Sequence, residues 1–175
     1  GLRSTGNSRM NAATSILLTD NLQALCLTHM AVNLDRATRQ ARENAVDYPE
    51  FLLELTEVEL QTRMEGRLKR RLRDAKFPMI KTLENFDAET VPGLDRRLLR
   101  ELAGGDYIKD HRNVIFLGKT GTGKTHMATA LGVEACRQGI STLFVTGCGL
   151  ANELIEARES KALSRLMQRY ARLGL

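Results

Sequence analysis

The chain has 175 residues, 42% hydrophobic and 27% charged, with a formal net charge of +5 and an isoelectric point near 9.4; this suits one ordinary globular domain or two small ones and excludes wholesale disorder. No apolar stretch approaches the roughly 20 residues that span a bilayer, and no basic segment followed by an apolar core opens the chain, so a cytoplasmic location with no membrane partner is expected. The three cysteines, Cys26, Cys136 and Cys148, lack a C-x-x-C pair and His29, His111 and His126 are scattered, which argues against a disulfide framework or a zinc site and leaves the cysteines as reduced, buried, small apolar residues.

Residues 1–9 are small, polar and patternless, and segment 1–15 is expected to be disordered, the edge of a fragment or a cloning remnant. Over 16–33, Leu18, Leu22, Leu25, His29 and Val32 follow helical spacing, with Thr19 or Asp20 as N-cap, and 34–45 continues as a polar helix. Pro49, tolerated in a first turn, restarts the pattern. Phe51, Leu55, Val58, Leu68 and Leu72 then form the buried stripe of a long helix that stops before Pro78. Residues 16–77 thus make a helical N-terminal module whose last helix is basic. Arg63, Arg67, Lys69, Arg70, Arg71, Arg73 and Lys76 stand there against Glu65 and Asp74. Such a stretch is either a contact for nucleic acid phosphates or a solvated face laced with i, i+4 pairs.

Residues 78–93 have little periodicity and hold two of the three prolines, which places a linker there. A short helix over 94–102 precedes Gly104-Gly105, and 94–175 reads as the second domain. Its apolar run Val114-Ile115-Phe116-Leu117 suits a buried parallel strand. Directly after it comes Gly118-Lys119-Thr120-Gly121-Thr122-Gly123-Lys124-Thr125, a complete G-x-x-x-x-G-K-[ST] loop. The residue types answer to the charge of a triphosphate. Glycines let backbone N–H groups turn inward as a cradle, Lys124 reaches the β/γ-phosphates, and the Thr125 hydroxyl ligates Mg²⁺. With Gly near 7% of average composition, the octet arises by accident in only on the order of 1% of chains this long. Thr125 opens a helical pattern through Met127, Ala128, Leu131 and Ala135 that ends at Gly139 as C′ residue, so a helix N-terminus faces the phosphates. Thr142-Leu143-Phe144-Val145 follows as a second parallel strand of a right-handed β-α-β unit. Last, Arg158, Lys161, Arg165, Arg169 and Arg172 recur at steps of three and four, which predicts a second basic face on one helix, with Glu153, Glu156 and Glu159 as partners.

Three ordered segments resemble the IstB-like ATP-binding proteins, AAA+ ATPases that assist transposases and are related to the DnaC helicase loaders. Residues 67–78, ending in Phe77-Pro78, look like the basic helix that closes the family's N-terminal module. Lys81-Thr82-Leu83-Glu84-Asn85-Phe86-Asp87 looks like its linker signature, and residues 113–128 are similar to its nucleotide loop. The resemblance covers residues 17–175. It implies an α/β fold: an N-terminal helical module followed by a P-loop NTPase (AAA+) core with parallel strands. It also implies ATP and Mg²⁺ as cofactors, with Gly118 to Thr125 and His126 at the nucleotide and Thr125 at the metal. The partners implied are double-stranded DNA, held by Arg67, Lys69, Arg70, Arg71 and Arg73, a transposase, and further copies of the chain in a homo-oligomer of the full-length form.

The sequence departs from the family pattern in three places. Lys119 stands where the family commonly has proline, which adds a positive charge near the phosphates. Thr146-Gly147-Cys148-Gly149 is richer in glycine than the usual cap, which is expected to weaken the start of the next helix. The core is incomplete, because no apolar run ending in Asp-Glu follows the loop within these residues. The carboxylate that activates water, the γ-phosphate sensor and the arginine finger are expected beyond residue 175, so no catalytic residue is assigned and ATP binding without appreciable hydrolysis is expected. Two other functions fit the same residues: a DnaC-type helicase loader in DNA replication, and a truncated, non-enzymatic module that binds DNA or a partner subunit. A small-molecule P-loop kinase would leave the N-terminal module unexplained.

Overall fold

The structure is a computed structural model and describes residues 12–86 and 94–175. Segment 1–11 of the expected disordered N-terminus and residues 87–93 of the expected linker lie outside the described residues. Residues 12–15, expected as disordered, begin a helix. The chain forms two compact units, residues up to Gly66 and residues from Arg67 onward.

The first unit holds α1 (Ala12–Ala24), α2 (Thr28–Glu43) and most of α3 (Tyr48–Asp74). Leu22, Met30, Leu34, Ala37 and Leu55 make its core, with Leu27, Ala31 and Phe51 packed against them. The helix expected over 16–33 is two helices. Cys26 adopts φ 58°, Leu27 N–H donates to Leu22 C=O at 2.7 Å and Cys26 N–H to Gln23 C=O at 2.9 Å. That paired pattern ends α1 with a left-handed residue that is not glycine. Neither Thr19 nor Asp20 is an N-cap, since both lie inside α1 and the Thr19 hydroxyl donates to Ser15 C=O at 2.9 Å.

The start of α2 is capped from elsewhere. Leu27 stands at its N-cap and offers no side-chain acceptor. Glu59 of α3, only 4% exposed, accepts the N–H groups of His29 at 2.8 Å and Met30 at 3.0 Å through Oε2. Its Oε1 meets Arg63 Nε at 2.6 Å, and Arg63 also donates to Cys26 C=O. Burial pushes the Glu59 carboxyl up, but the Met30 N–H, the Arg63 guanidinium and the His29 N–H together outweigh it and hold it below its ordinary value.

The second unit adds α4 (Arg96–Ala103), α5 (Asp106–Lys109), α6 (Lys124–Arg137), α7 (Gly147–Glu159) and α8 (Leu163–Tyr170). Asp95 caps α4 by accepting from Arg97 N–H and Leu98 N–H, as its residue type favours. Helix α6 is the centre of the unit: Met127, Ala130, Leu131, Val133, Ala135 and Cys136 are all buried. It ends as expected at Gly139, φ 93°, with Gly139 N–H on Cys136 C=O and Ile140 N–H on Ala135 C=O. Gln138 Nε2 donates to Ala103 C=O at 2.7 Å and ties this end to α4. Of the cysteines, Cys136 is buried as expected, while Cys26 and Cys148 are exposed. Burial raises the Cys136 thiol above its ordinary value.

The expected parallel strands are absent among the described residues. Neither 114–117 nor 142–145 joins a ladder. A strand exists only where another backbone runs beside it over several residues, and no backbone bond among the described residues joins these two segments to each other. Leu143 N–H bonds to Leu175 C=O at 3.0 Å and Leu175 N–H returns to Ser141 C=O at 3.2 Å, one reciprocal pair at residue 175, while Phe144 N–H bonds to Ala75 C=O; neither contact extends into a ladder. Ile115 and Leu117 remain 78% and 91% exposed, so nothing packs on their face. The described architecture is therefore helical.

Candidate nucleotide-binding site

Residues 118–123 turn tightly into the first residue of α6. Lys124 Nζ crosses the turn and donates to Gly118 C=O at 2.9 Å and Lys119 C=O at 2.6 Å. Thr122 Oγ1 also donates to Lys119 C=O, at 2.9 Å. The loop's carbonyls are thus drawn toward one ammonium, and its interior carries positive charge. Gly123 is the N-cap of α6 in the left-handed region, φ 77°, with no side chain to bond the first-turn N–H groups. Those N–H groups have no partner within the helix and make the loop mouth a donor site for anions.

The other loop residues take their places around this turn. Gly118, Lys119, Thr120 and Gly121 are exposed and Thr122 is half-buried. Thr125, expected to ligate Mg²⁺, is the second residue of α6 and is exposed. His126 has a different neighbourhood. Its Nε2 lies 3.0 Å from Thr82 C=O, and because a carbonyl only accepts, that nitrogen carries the proton. Its ring also meets Phe86 edge-on, centroids 5.1 Å apart at 70°.

Residues 75–86, read in the sequence as a helix end and linker, form a strap along α6. Ala75 is fully buried. The Phe77 ring meets Phe144 at 6.3 Å, edge to face, and lies so near Gly132 that a Cβ there would be 2.9 Å from two ring atoms. Glu84 pairs with Arg137 Nη1 at 3.0 Å. Its own N–H, then Thr82 and Arg137, stabilise the carboxylate and hold its pKa down to about 2. Phe86 reaches Gly123, where an added Cβ would be 2.7 Å from Cε2. Sequence reasoning singled out 81–87 only by its resemblance and gave Thr82, Glu84 and Phe86 no part in the site. The available signal was local: aromatic and β-branched residues in a segment otherwise without period.

The basic residues divide. Arg67, Lys69, Arg70 and Arg73 are exposed, and at about 100° per residue the five from Arg67 to Arg73 spread over more than half of the helix circumference. Arg73 pairs with Asp74 at 2.9 Å on the surface. Arg71 is half-buried, with Nη2 3.5 Å from where a Cβ on Gly139 would stand, so it packs on the end of α6. The second basic face is not one helical face. Lys161 adopts φ 54° and the chain breaks between α7 and α8, with Ala162 N–H on Ala157 C=O at 2.7 Å. Arg165, Arg169 and Arg172 instead line a groove of about 1060 Å³ together with Glu153 and Glu156. There Tyr170 donates to Glu153 Oε2 at 3.0 Å. The glycine-rich start of α7 is capped after all: the Thr146 hydroxyl accepts from Gly149 N–H at 3.1 Å. Among the described residues no group of His, Cys, Asp and Glu could hold a metal ion, and no helix is long and apolar enough to cross a membrane.

The G-x-x-x-x-G-K-[ST] octet, turning into the N-terminus of a buried helix, is the signature of the P-loop class of nucleotide-binding proteins. The sequence profile of the IstB-like ATP binding proteins matches residues 20–175, and the chain belongs to that family. It is 38% identical over 154 residues to a protein of Pseudomonas aeruginosa named as an ATP-binding protein of insertion sequence IS21, covering 87% of this chain and 58% of that one. Counterparts named for IS5376 of Geobacillus stearothermophilus and IS232 of Bacillus thuringiensis are 33% and 28% identical; they cover 82% and 90% of this chain and 57% and 63% of their own lengths. The chain thus spans about three fifths of the length of these relatives.

Proposed function

We propose that this chain binds ATP with Mg²⁺ through Gly118 to Thr125 and acts as an ATP-binding helper of DNA transposition. The observation that carries the reading is the Lys124 ammonium held across the loop at the N-terminus of α6. The donor set suits the ligand: one ammonium inside the turn, one exposed hydroxyl on Thr125, and first-turn N–H groups without helical partners. When bound, the triphosphate would receive the Lys124 ammonium and the backbone N–H groups, and Thr125 would hold Mg²⁺. Lys119, within the loop, is exposed and adds charge at its rim.

Double-stranded DNA and a transposase are the proposed partners. Arg67, Lys69 and Arg70 are exposed at the end of α3 and would bind phosphates without choosing sequence. That three relatives are named for insertion sequences supports transposition over helicase loading. A homo-oligomer in the full-length form, a cytoplasmic location, and binding without appreciable hydrolysis by these 175 residues complete the proposal.

The test is equilibrium binding of a fluorescent ATP analogue with Mg²⁺ to the chain and to Lys124→Ala. Binding that the substitution abolishes is the expected result. No binding by a sample whose circular dichroism shows it folded would overturn the reading.

A further inference from the structure

The junction between the loop and α6 is a single residue, Gly123, in a left-handed conformation that glycine can also leave at little cost. A donor cradle is effective only when its N–H groups are already aimed, because ordering them during binding subtracts from affinity. Something must therefore hold Gly123, and the Phe86 ring lies over the side of it where a side chain would stand, an added Cβ falling 2.7 Å from Cε2. That ring is braced in turn by His126, edge-on at 5.1 Å, while His126 is fixed by Thr82 C=O at 3.0 Å. Thr82 and Phe86 belong to the strap, which the Glu84 to Arg137 pair fastens further along α6.

We propose that Phe86 is a positioning residue for the nucleotide loop: its ring, braced by His126, fixes Gly123 and so sets the aim of the phosphate donors. The proposal rests on the nucleotide-binding reading of the loop. It makes affinity depend on a residue that lies 32 positions before the loop begins. The part of the ligand affected is the triphosphate, since the ring acts on the backbone that would meet it.

The experiment compares the wild-type chain, Phe86→Ala and Phe86→Leu for binding of Mg–ATP and of Mg–tripolyphosphate, which has no base. Amide hydrogen exchange is followed in the nucleotide-free proteins. Phe86→Ala is expected to weaken both ligands by the same factor, on the order of tenfold, and Phe86→Leu, which keeps apolar bulk against Gly123, by less. Exchange should quicken at Met127, whose N–H donates to Gly123 C=O at 2.9 Å, and stay unchanged from Val133 to Cys136. A purely structural role would speed exchange along the whole helix, which would overturn the proposal. Loss of ATP affinity with tripolyphosphate affinity intact would also overturn it, by showing that the ring meets the base. If wild type binds neither ligand, the nucleotide reading fails, and the Met127 amide alone decides whether Phe86 holds the junction.

Discussion

Phe144 donates its N–H to the carbonyl of Ala75 at 2.8 Å, joining the end of the basic helix to the segment that follows α6. The same two neighbourhoods meet again through the Phe77 and Phe144 rings, with Phe77 seated over Gly132. Gly132→Ala should therefore destabilise the second unit by about 1–3 kcal/mol through overpacking, despite the ~1 kcal/mol that alanine favours over glycine within a helix. Thermal denaturation reads the sum. A rise in Tm would mean that the ring yields freely and the strap is loosely held.

Glu84 has a folded pKa of about 2 against an ordinary 4.5. Because the folded value is the lower one, its contribution is complete above about 4.5 and disappears as pH falls toward about 2. The stability difference between wild type and Glu84→Gln should accordingly be constant near neutrality and vanish across that interval. Denaturant melts at a series of pH values measure it, and a difference undiminished at pH 2 would contradict the stabilisation of the carboxylate by its own N–H, Thr82 and Arg137.

Glu59 follows the same sign for a different cause. Its carboxyl is buried, and losing it leaves the His29 and Met30 N–H groups without an acceptor, while the half-exposed Arg63 keeps Cys26 C=O. Glu59→Ala should cost about 1–3 kcal/mol, the scale for leaving buried donors unsatisfied. Circular dichroism during denaturation would show it as a shifted midpoint, and a cost under ~1 kcal/mol would mean that water replaces the carboxylate.

At the end of α3, Arg67, Lys69 and Arg70 are available to solvent while Arg71 packs on α6. Replacing the first three with Ala should weaken DNA binding and flatten its dependence on salt, by nearly one unit of slope for each phosphate no longer neutralised. Arg71→Ala should lower thermal stability instead. An unchanged salt slope in the triple variant would identify that surface as a solvated face.

The loop, its helix and the Gly139 stop were legible because each has a fixed chemical signature: glycines at set spacing, a lysine, an apolar period of 3.6. The breaks at Cys26 and Lys161 were not. Both helices end on a left-handed residue with the usual paired bonds, but a cysteine and a lysine stand where glycine would be the readable sign. The cap of α2 escaped for a related reason, since its acceptor is Glu59, about 30 residues away, whereas capping rules look one to three residues ahead. The strand signal at 114–117 was correct as composition, yet a ladder needs a neighbour and none of the described segments lies alongside. The strap was missed because its contacts are made by single residues, Phe77, Thr82 and Phe86, with no repeat to reveal them.

The distant acceptor for α2 bears on the order in which the first unit acquires its structure. With Leu27 at its start, the helix has no local side-chain acceptor for its first N–H groups, so until Glu59 arrives they are left to water. Closing that span brings a modest entropic cost that grows only slowly with its length. Mutations at Glu59 should then slow refolding more than they speed unfolding, which makes this carboxylate a kinetic landmark as well as a fastening.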